Sequence, residues 1–235
     1  MILYFAIPIF GYWALPWLYA KYCKFKLMLT VHRDKKIILT FDDGPSIETT
    51  EPLLELLEEY DTKAIFFVIG QKVPGNEEVV KKILSAGHEV GTHGYWHIDH
   101  WKTLPHAAIN DLRQGLKTVK EFVGRNKKIL YRPPYGRINF FEMLWILLTG
   151  QKVYMWTHDS GDTWKANKRH SNLIANKLSS TDGAVVLIHD FKRSSEAVRD
   201  MVLEMSENVL RKIKEKRVIK QRLNEVSGQN NKLSD

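Results

Sequence analysis

KIILTFDDGP, Lys36 to Pro45, sets two aspartates side by side at the end of an apolar run. Ile37 to Phe41 reads as a buried β-strand, and the glycine and proline that follow mark a turn. Adjacent carboxylates at such a place repel each other and lose solvation. Positive charge must therefore reach Asp42 and Asp43 from elsewhere in the chain.

Working outward, short apolar runs alternate with helical patterns. The strand candidates are 36–41, 63–69, 88–92, 128–131, 152–156, 184–188 and 217–221. Helix candidates lie at 49–60, 76–86, 105–123, 139–149, 169–180 and 195–215. Asn76 offers a cap, Pro105 a helix start, and Gly87 and Gly124 helix ends. This alternation predicts an α/β fold with a parallel sheet and helical crossovers. Seven strand-like units fit either an incomplete (β/α) barrel or a doubly wound sheet. In both, ligands bind at the carboxyl ends of the strands, where Asp42 and Asp43 stand.

Other polar groups fall at strand ends too. His93 and His97 follow 88–92 at a spacing of four and can face one ion. A carboxylate from Asp42 or Asp43 would complete two imidazoles and one carboxylate, and a divalent cation would offset the repulsion at the aspartates. Arg132 opens RPPYG, Arg132 to Gly136, and can grip a carboxylate. Asp159 and Asp162 follow 152–156. His189 ends the apolar run 184–188 and suits acid–base work. Cys23 is the single cysteine, so a metal site must be built from His, Asp or Glu. His100, His106, His158 and His170 read as surface or satisfied polar residues.

The net charge of +8 implies a basic surface, with the excess concentrated in 21–36 and 211–222. No zinc-finger, basic-zipper or aromatic RNA-binding signature accompanies it, so no nucleic-acid partner is expected. Residues 1–20 carry no charged side chain and are long enough to cross a bilayer. They read as a hydrophobic segment and candidate membrane anchor, with packing on the domain as the alternative. A basic linker, 21–35, follows. Its Lys21, Lys24 and Lys26 would hold the next domain in the cytoplasm by the positive-inside tendency. The remaining division is a domain at 36–226 and a disordered tail at 227–235.

Taken together, TFDDGP, HGYWH, RPPYG, WTHDSGD and VLIH resemble, in order, the five motifs of the polysaccharide deacetylase family, the NodB-homology domain of carbohydrate esterase family 4. The likeness covers roughly 36–226. It implies a distorted, incomplete barrel of about seven parallel strands, and a metal-dependent hydrolase removing N- or O-acetyl groups from a polysaccharide. The substrate expected is an acetylated, N-acetylglucosamine-containing polymer of the cell envelope. The expected location is the envelope, membrane-anchored with the domain outside the cytoplasm, which conflicts with the lysine flank. Carried over by position, Asp43, His93 and His97 bind one divalent transition metal ion, zinc first, with cobalt and nickel as alternatives. Asp42 is the general base, oriented by Arg132. The backbone N–H of Tyr135 helps stabilise the oxyanion. His189 protonates the leaving amine, tuned by Asp162. Tyr135, Trp164, Val186 and Leu187 line the substrate site.

Three positions depart from the family pattern. Gly94 stands for Ser or Thr in the second motif, removing a hydrogen bond that could steady the loop. Thr163 stands for Trp in the fourth, with Trp164 next to it. Val186 stands for a Leu that lines the acetyl pocket. Two rival classes are a catalytically silent glycan-binding fold and a metal amidohydrolase for a small amide. The first predicts loss of a ligand or base, and the second a closed pocket in place of a long cleft with Tyr95, Trp96, Trp101 and Trp164.

Overall fold

The computed structural model describes residues 2–124, 126–162, 168–191 and 195–231. Five parallel strands form one sheet: β1 (Ile37–Asp42), β2 (Ala64–Val68), β3 (Glu89–Thr92), β4 (His158–Asp159) and β5 (Ala184–His189). Their order is β3-β2-β1-β5-β4. The apolar run that opens the motif is therefore the central strand. Leu39, Phe41, Phe66, Val186 and Ile188 are all buried, and the Phe41 and Phe66 rings stack at 5.0 Å. A strand covered on both faces reads as continuous apolar sequence, which is why 36–41, 63–69 and 184–188 were legible.

Among the described residues, seven helices surround the sheet: α1 (Ile2–Arg33), α2 (Ile47–Glu59), α3 (Glu77–Ser85), α4 (Pro105–Val123), α5 (Phe140–Thr149), α6 (Lys168–Ser179) and α7 (Glu196–Asn231). α4 matches its expected bounds, with Pro105 in the first turn and Gly124 beyond the end. α5 starts with a capping box between Asn139 and Glu142 and ends at left-handed Gly150. In α3, Glu77 and Glu78 occupy the first turn, where the helix dipole favours them, while Val79, Val80 and Ile83 are buried.

The strand count is lower than expected. Of 128–131 and 152–156, only Tyr131 and Val153 pair, as isolated parallel bridges Thr92↔Tyr131 and Tyr131↔Val153. The Arg132 side chain takes the carbonyls of Tyr154 and Met155, so these do not serve a ladder. The segment reaching Tyr131 at Val153 pairs with β5 a few residues later at His158 and Asp159. One stretch of chain thus touches both sides of the sheet. The expected strand 217–221 lies inside α7, where Val218 and Ile219 are exposed. Residues 227–231, expected to be disordered, continue that helix, and 232–235 lie outside the described residues.

The expected linker 21–35 is also largely helical, because α1 runs on to Arg33. Ala20 and Val31 are buried. Tyr12 packs on Phe140 at 5.9 Å, and Trp13 on Trp101 at 5.8 Å. Among the described residues no helix is long and apolar enough to cross a membrane. The expected transmembrane anchor is therefore not supported: α1 carries its apolar stretch into Lys21, Lys24 and Lys26 and packs on the domain.

Phe41→Ala, which empties the middle of the central strand, is expected to cost about 3–5 kcal/mol. Urea unfolding of the two proteins measures it.

Candidate active site

Asp42 ends β1 and pairs in register with His189, which ends β5. In a continuing strand Asp43 would face away from Asp42. Its φ of 74° breaks that alternation and turns its carboxylate to the same side. Gly44 is required next, since a Cβ there would collide with the buried Asp190 carboxylate.

Asp43 Oδ1 lies 3.6 Å from His93 Nε2 and 3.2 Å from His97 Nε2. The three ligand atoms all fall within 4.8 Å of one another. His93 is buried, and its Nδ1–H donates to the Arg132 carbonyl at 2.7 Å. That bond fixes the tautomer and leaves the Nε2 lone pair facing Asp43. His97 sits at the left-handed φ of 57°. Burial first, and then the neighbouring His93, push its pKa down to about 4, so it is a neutral imidazole at pH 7. Burial would raise Asp43, but facing His93 and His97 outweigh it and hold the carboxylate below its ordinary range. Asp43 Oδ1 is buried and without a hydrogen-bond partner. An orphaned carboxylate oxygen facing two imidazole nitrogens fits a divalent cation with nitrogen and oxygen ligands.

Arg132 is fully buried and binds Asp42 Oδ1 at 2.7 Å and Thr40 Oγ1 at 2.8 Å. Its other donors reach the Tyr154 and Met155 carbonyls, and its guanidinium lies 4.1 Å over the Phe67 ring. Asp42 Oδ2 is 3.7 Å from His93 Nε2. The two aspartates are thus divided: Asp42 is tied to a guanidinium and Asp43 faces the imidazoles.

On the other side, Asp162 Oδ1 accepts from His189 Nδ1 at 2.7 Å, and its Oδ2 accepts the His189 backbone N–H at 3.1 Å. Burial lowers the His189 pKa, but the bond to Asp162 and the charges of Asp162, Asp42 and Asp43 overcome it, raising it to about 9. The imidazolium persists at neutral pH. Its contribution to stability is full below its ordinary pKa of 6.5 and is lost as pH rises through about 9.

These groups open on a cavity of about 420 Å³, lined by Asp42, Asp43, His93, His97, Tyr135 and His189, with Arg137, Trp156, Asp159 and Leu187. Tyr135 has a left-handed φ of 56°, and its ring packs against His97 at 4.8 Å. Leu187 shares the face of His189, two residues on. Val186 points the other way, into the hydrophobic core. The departure noted at Val186 is therefore a core position, and the cavity position holds leucine. Trp164 lies outside the described residues. Trp96 is exposed, and Trp101 packs on Trp13 and Arg137.

Sequence reasoning missed Arg137, Trp156 and Lys72, whereas Asp159 was noted only as a polar group after 152–156. Arg137 is held by Asp99. Trp156 and Asp159 supply cavity wall, and Lys72 donates to the Asp43 carbonyl at 2.8 Å. Arg137 directly follows RPPYG and Trp156 opens WTHDSGD, whereas Lys72 carried no local signal. A second cavity, of about 440 Å³, lies at the far end of β1, lined by Lys35, Ile37, Asp182, Lys216, Arg217 and Lys220 among others.

The family description "Polysaccharide deacetylase" matches residues 30–140. The peptidoglycan-N-acetylglucosamine deacetylase PgdA of Listeria monocytogenes is 36% identical over 172 residues, 72% of this chain and 35% of that protein. A peptidoglycan-N-acetylglucosamine deacetylase of Bacillus cereus is 32% identical over 161 residues, 68% of this chain and 74% of the relative. The crystal structure of the Bc1960 peptidoglycan N-acetylglucosamine deacetylase, in complex with a hydroxamate, superposes with a TM-score of 0.68 at 27% identity, covering 77% of this chain and 83% of that one. The fold, the acidic pair and this match place the chain in the polysaccharide deacetylase family. It spans about a third of the length of the Listeria relative.

Val186→Ala and Leu187→Ala separate core from cavity. The first is expected to lower stability by about 1–3 kcal/mol with catalysis retained, and the second to impair catalysis more than stability. Urea unfolding and acetate-release kinetics on both variants check this.

Proposed function

We propose that the chain is a metal-dependent hydrolase that removes acetyl groups, N-acetyl first, from a cell-envelope glycan containing N-acetylglucosamine. The observation that carries this is the opposed pair Asp42 and His189 on one cavity wall, beside the ligand set Asp43, His93 and His97. The names of the matched relatives support peptidoglycan as the polymer and the cell envelope as the location.

Asp43, His93 and His97 would hold a divalent transition metal, zinc first, with cobalt and nickel as alternatives. When bound, such a cation lowers the pKa of a water molecule and offsets negative charge on the reacting carbonyl oxygen. Asp42, held by Arg132, takes the proton of the water that attacks the acetyl carbon. The Tyr135 N–H assists in stabilising the oxyanion. His189 enters as an imidazolium, and Asp162 holds it in orientation. As the C–N bond breaks, His189 gives its proton to the departing nitrogen, releasing acetate and a free amine. Leu187 and Trp156 provide apolar wall for the acetyl methyl. Against a silent binding fold, the side chains read as base, acid and ligands all line one cavity.

Asp43→Ala or His93→Ala is expected to abolish metal binding. Asp42→Asn should keep the metal and lose turnover by about 10²–10⁴-fold. Metal analysis beside acetate release from N-acetylated glycans, with and without chelator, decides this, and full turnover in Asp42→Asn would sink the mechanism. Turnover should also fall as pH rises through about 9, where His189 loses its proton. A pH–rate profile measures that limb.

A further inference from the structure

The loop that presents both imidazoles, His93 to His97, is held from below by a buried carboxylate that touches neither metal ligand. Asp111, on α4, accepts the backbone N–H of Tyr95 at 3.1 Å and of Trp96 at 2.5 Å, both through Oδ1. Its Oδ2 faces His100 Nε2 at 3.1 Å. His100 Nδ1 meets Glu142 Oε2 at 2.8 Å, and Glu142 Oε1 accepts the Tyr131 hydroxyl at 2.7 Å. Asp111, His100 and Glu142 are all fully buried.

An imidazole bonded by a carboxylate on each nitrogen donates from both and is a cation. Burial works against that charge, but the bonds to Asp111 and Glu142 raise the His100 pKa to about 9. His100 thus bridges two buried carboxylates, and it was legible only as a polar residue of no assigned role.

The loop needs such support. Gly94 and His97 both have left-handed φ, 78° and 57°, so no helix or strand ladder stiffens the segment. A Cβ on Gly94 would collide with Asp111 Oδ2. Glycine at this position and the carboxylate beneath it are therefore one solution. The family's Ser or Thr would steady the loop by its own hydroxyl, whereas here two N–H groups are tied to Asp111. The other flank is fixed by the 3-10 turn Gly70–Lys72, whose Gly70 and Gln71 N–H groups donate to the Gly94 and Tyr95 carbonyls, each at 2.9 Å.

We propose that Asp111, locked by His100 and Glu142, is a positioning residue that sets the His93–His97 loop for the cation. This rests on the reading that Asp43, His93 and His97 hold a metal.

The test is zinc titration of metal-stripped full-length protein, read as Kd, alongside amide hydrogen exchange of the stripped protein. Asp111→Ala is expected to weaken zinc by about 10–100-fold, the range for outer-shell partners, and Asp111→Asn, which keeps an acceptor at Oδ1, by no more than about threefold. Leu116→Ala, a core change on the same helix, should lower Tm yet leave the zinc Kd unchanged. Zinc affinity in Asp111→Ala within about threefold of the parent, or an equal loss in Leu116→Ala, overturns the proposal. Should Asp111→Ala fail to fold, exchange in the parent decides: protected Tyr95 and Trp96 amides support it, and exchange at free-loop rates overturns it. Undiminished zinc affinity in Asp43→Ala would instead remove the metal site itself.

Discussion

A guanidinium with no exposure to solvent organises this molecule. Burying Arg132 is costly in itself, and the cost is offset only because every direction around it is answered. Asp42 and Thr40 meet it from β1, and the carbonyls of Tyr154 and Met155 from the closing segment. Its own carbonyl receives the His93 ring. One residue therefore locks the group read as base and the tautomer of an imidazole read as a metal ligand. Removing either partner of Arg132–Asp42 would strand a charge in the interior, so the pair is all or nothing.

Charge is sorted across the cavity by environment more than by residue type. His97 and His189 share a side chain but are pushed to about 4 and about 9. Burial and a neighbouring imidazole leave one neutral and able to ligate. A carboxylate behind the other leaves it charged and able to give up a proton. On the proposed reading, two titratable groups displaced in opposite directions divide the labour of ligand and acid within a single site.

The central strands were legible because burial on both faces writes itself as unbroken apolar sequence. The same cue misled at 128–131 and 152–156, where single bridges replace ladders and the Arg132 side chain takes the Tyr154 and Met155 carbonyls. It misled again at 217–221, since a short apolar run alone cannot separate strand from helix. The site residues were legible at strand ends, with their faces less so: Val186 and Leu187 are adjacent, and only the register of β5 decides which one looks into the cavity. Asp111, His100 and Glu142 were illegible because their meaning lies in a meeting that α4, the loop and α5 make in space.

Registry between β1 and β5 has a kinetic consequence. Asp42 and His189 become neighbours only when chain segments at opposite ends of the domain zip together. Bringing such remote segments together costs loop-closure entropy before any contact repays it, so this pairing belongs to the slow, nonlocal part of folding. A nascent chain holding Asp43, His93 and His97 has the groups read as metal ligands long before it has His189, read as the acid. On that reading, capacity to capture an ion and capacity to turn over a substrate are acquired at different moments in the maturation of the polypeptide.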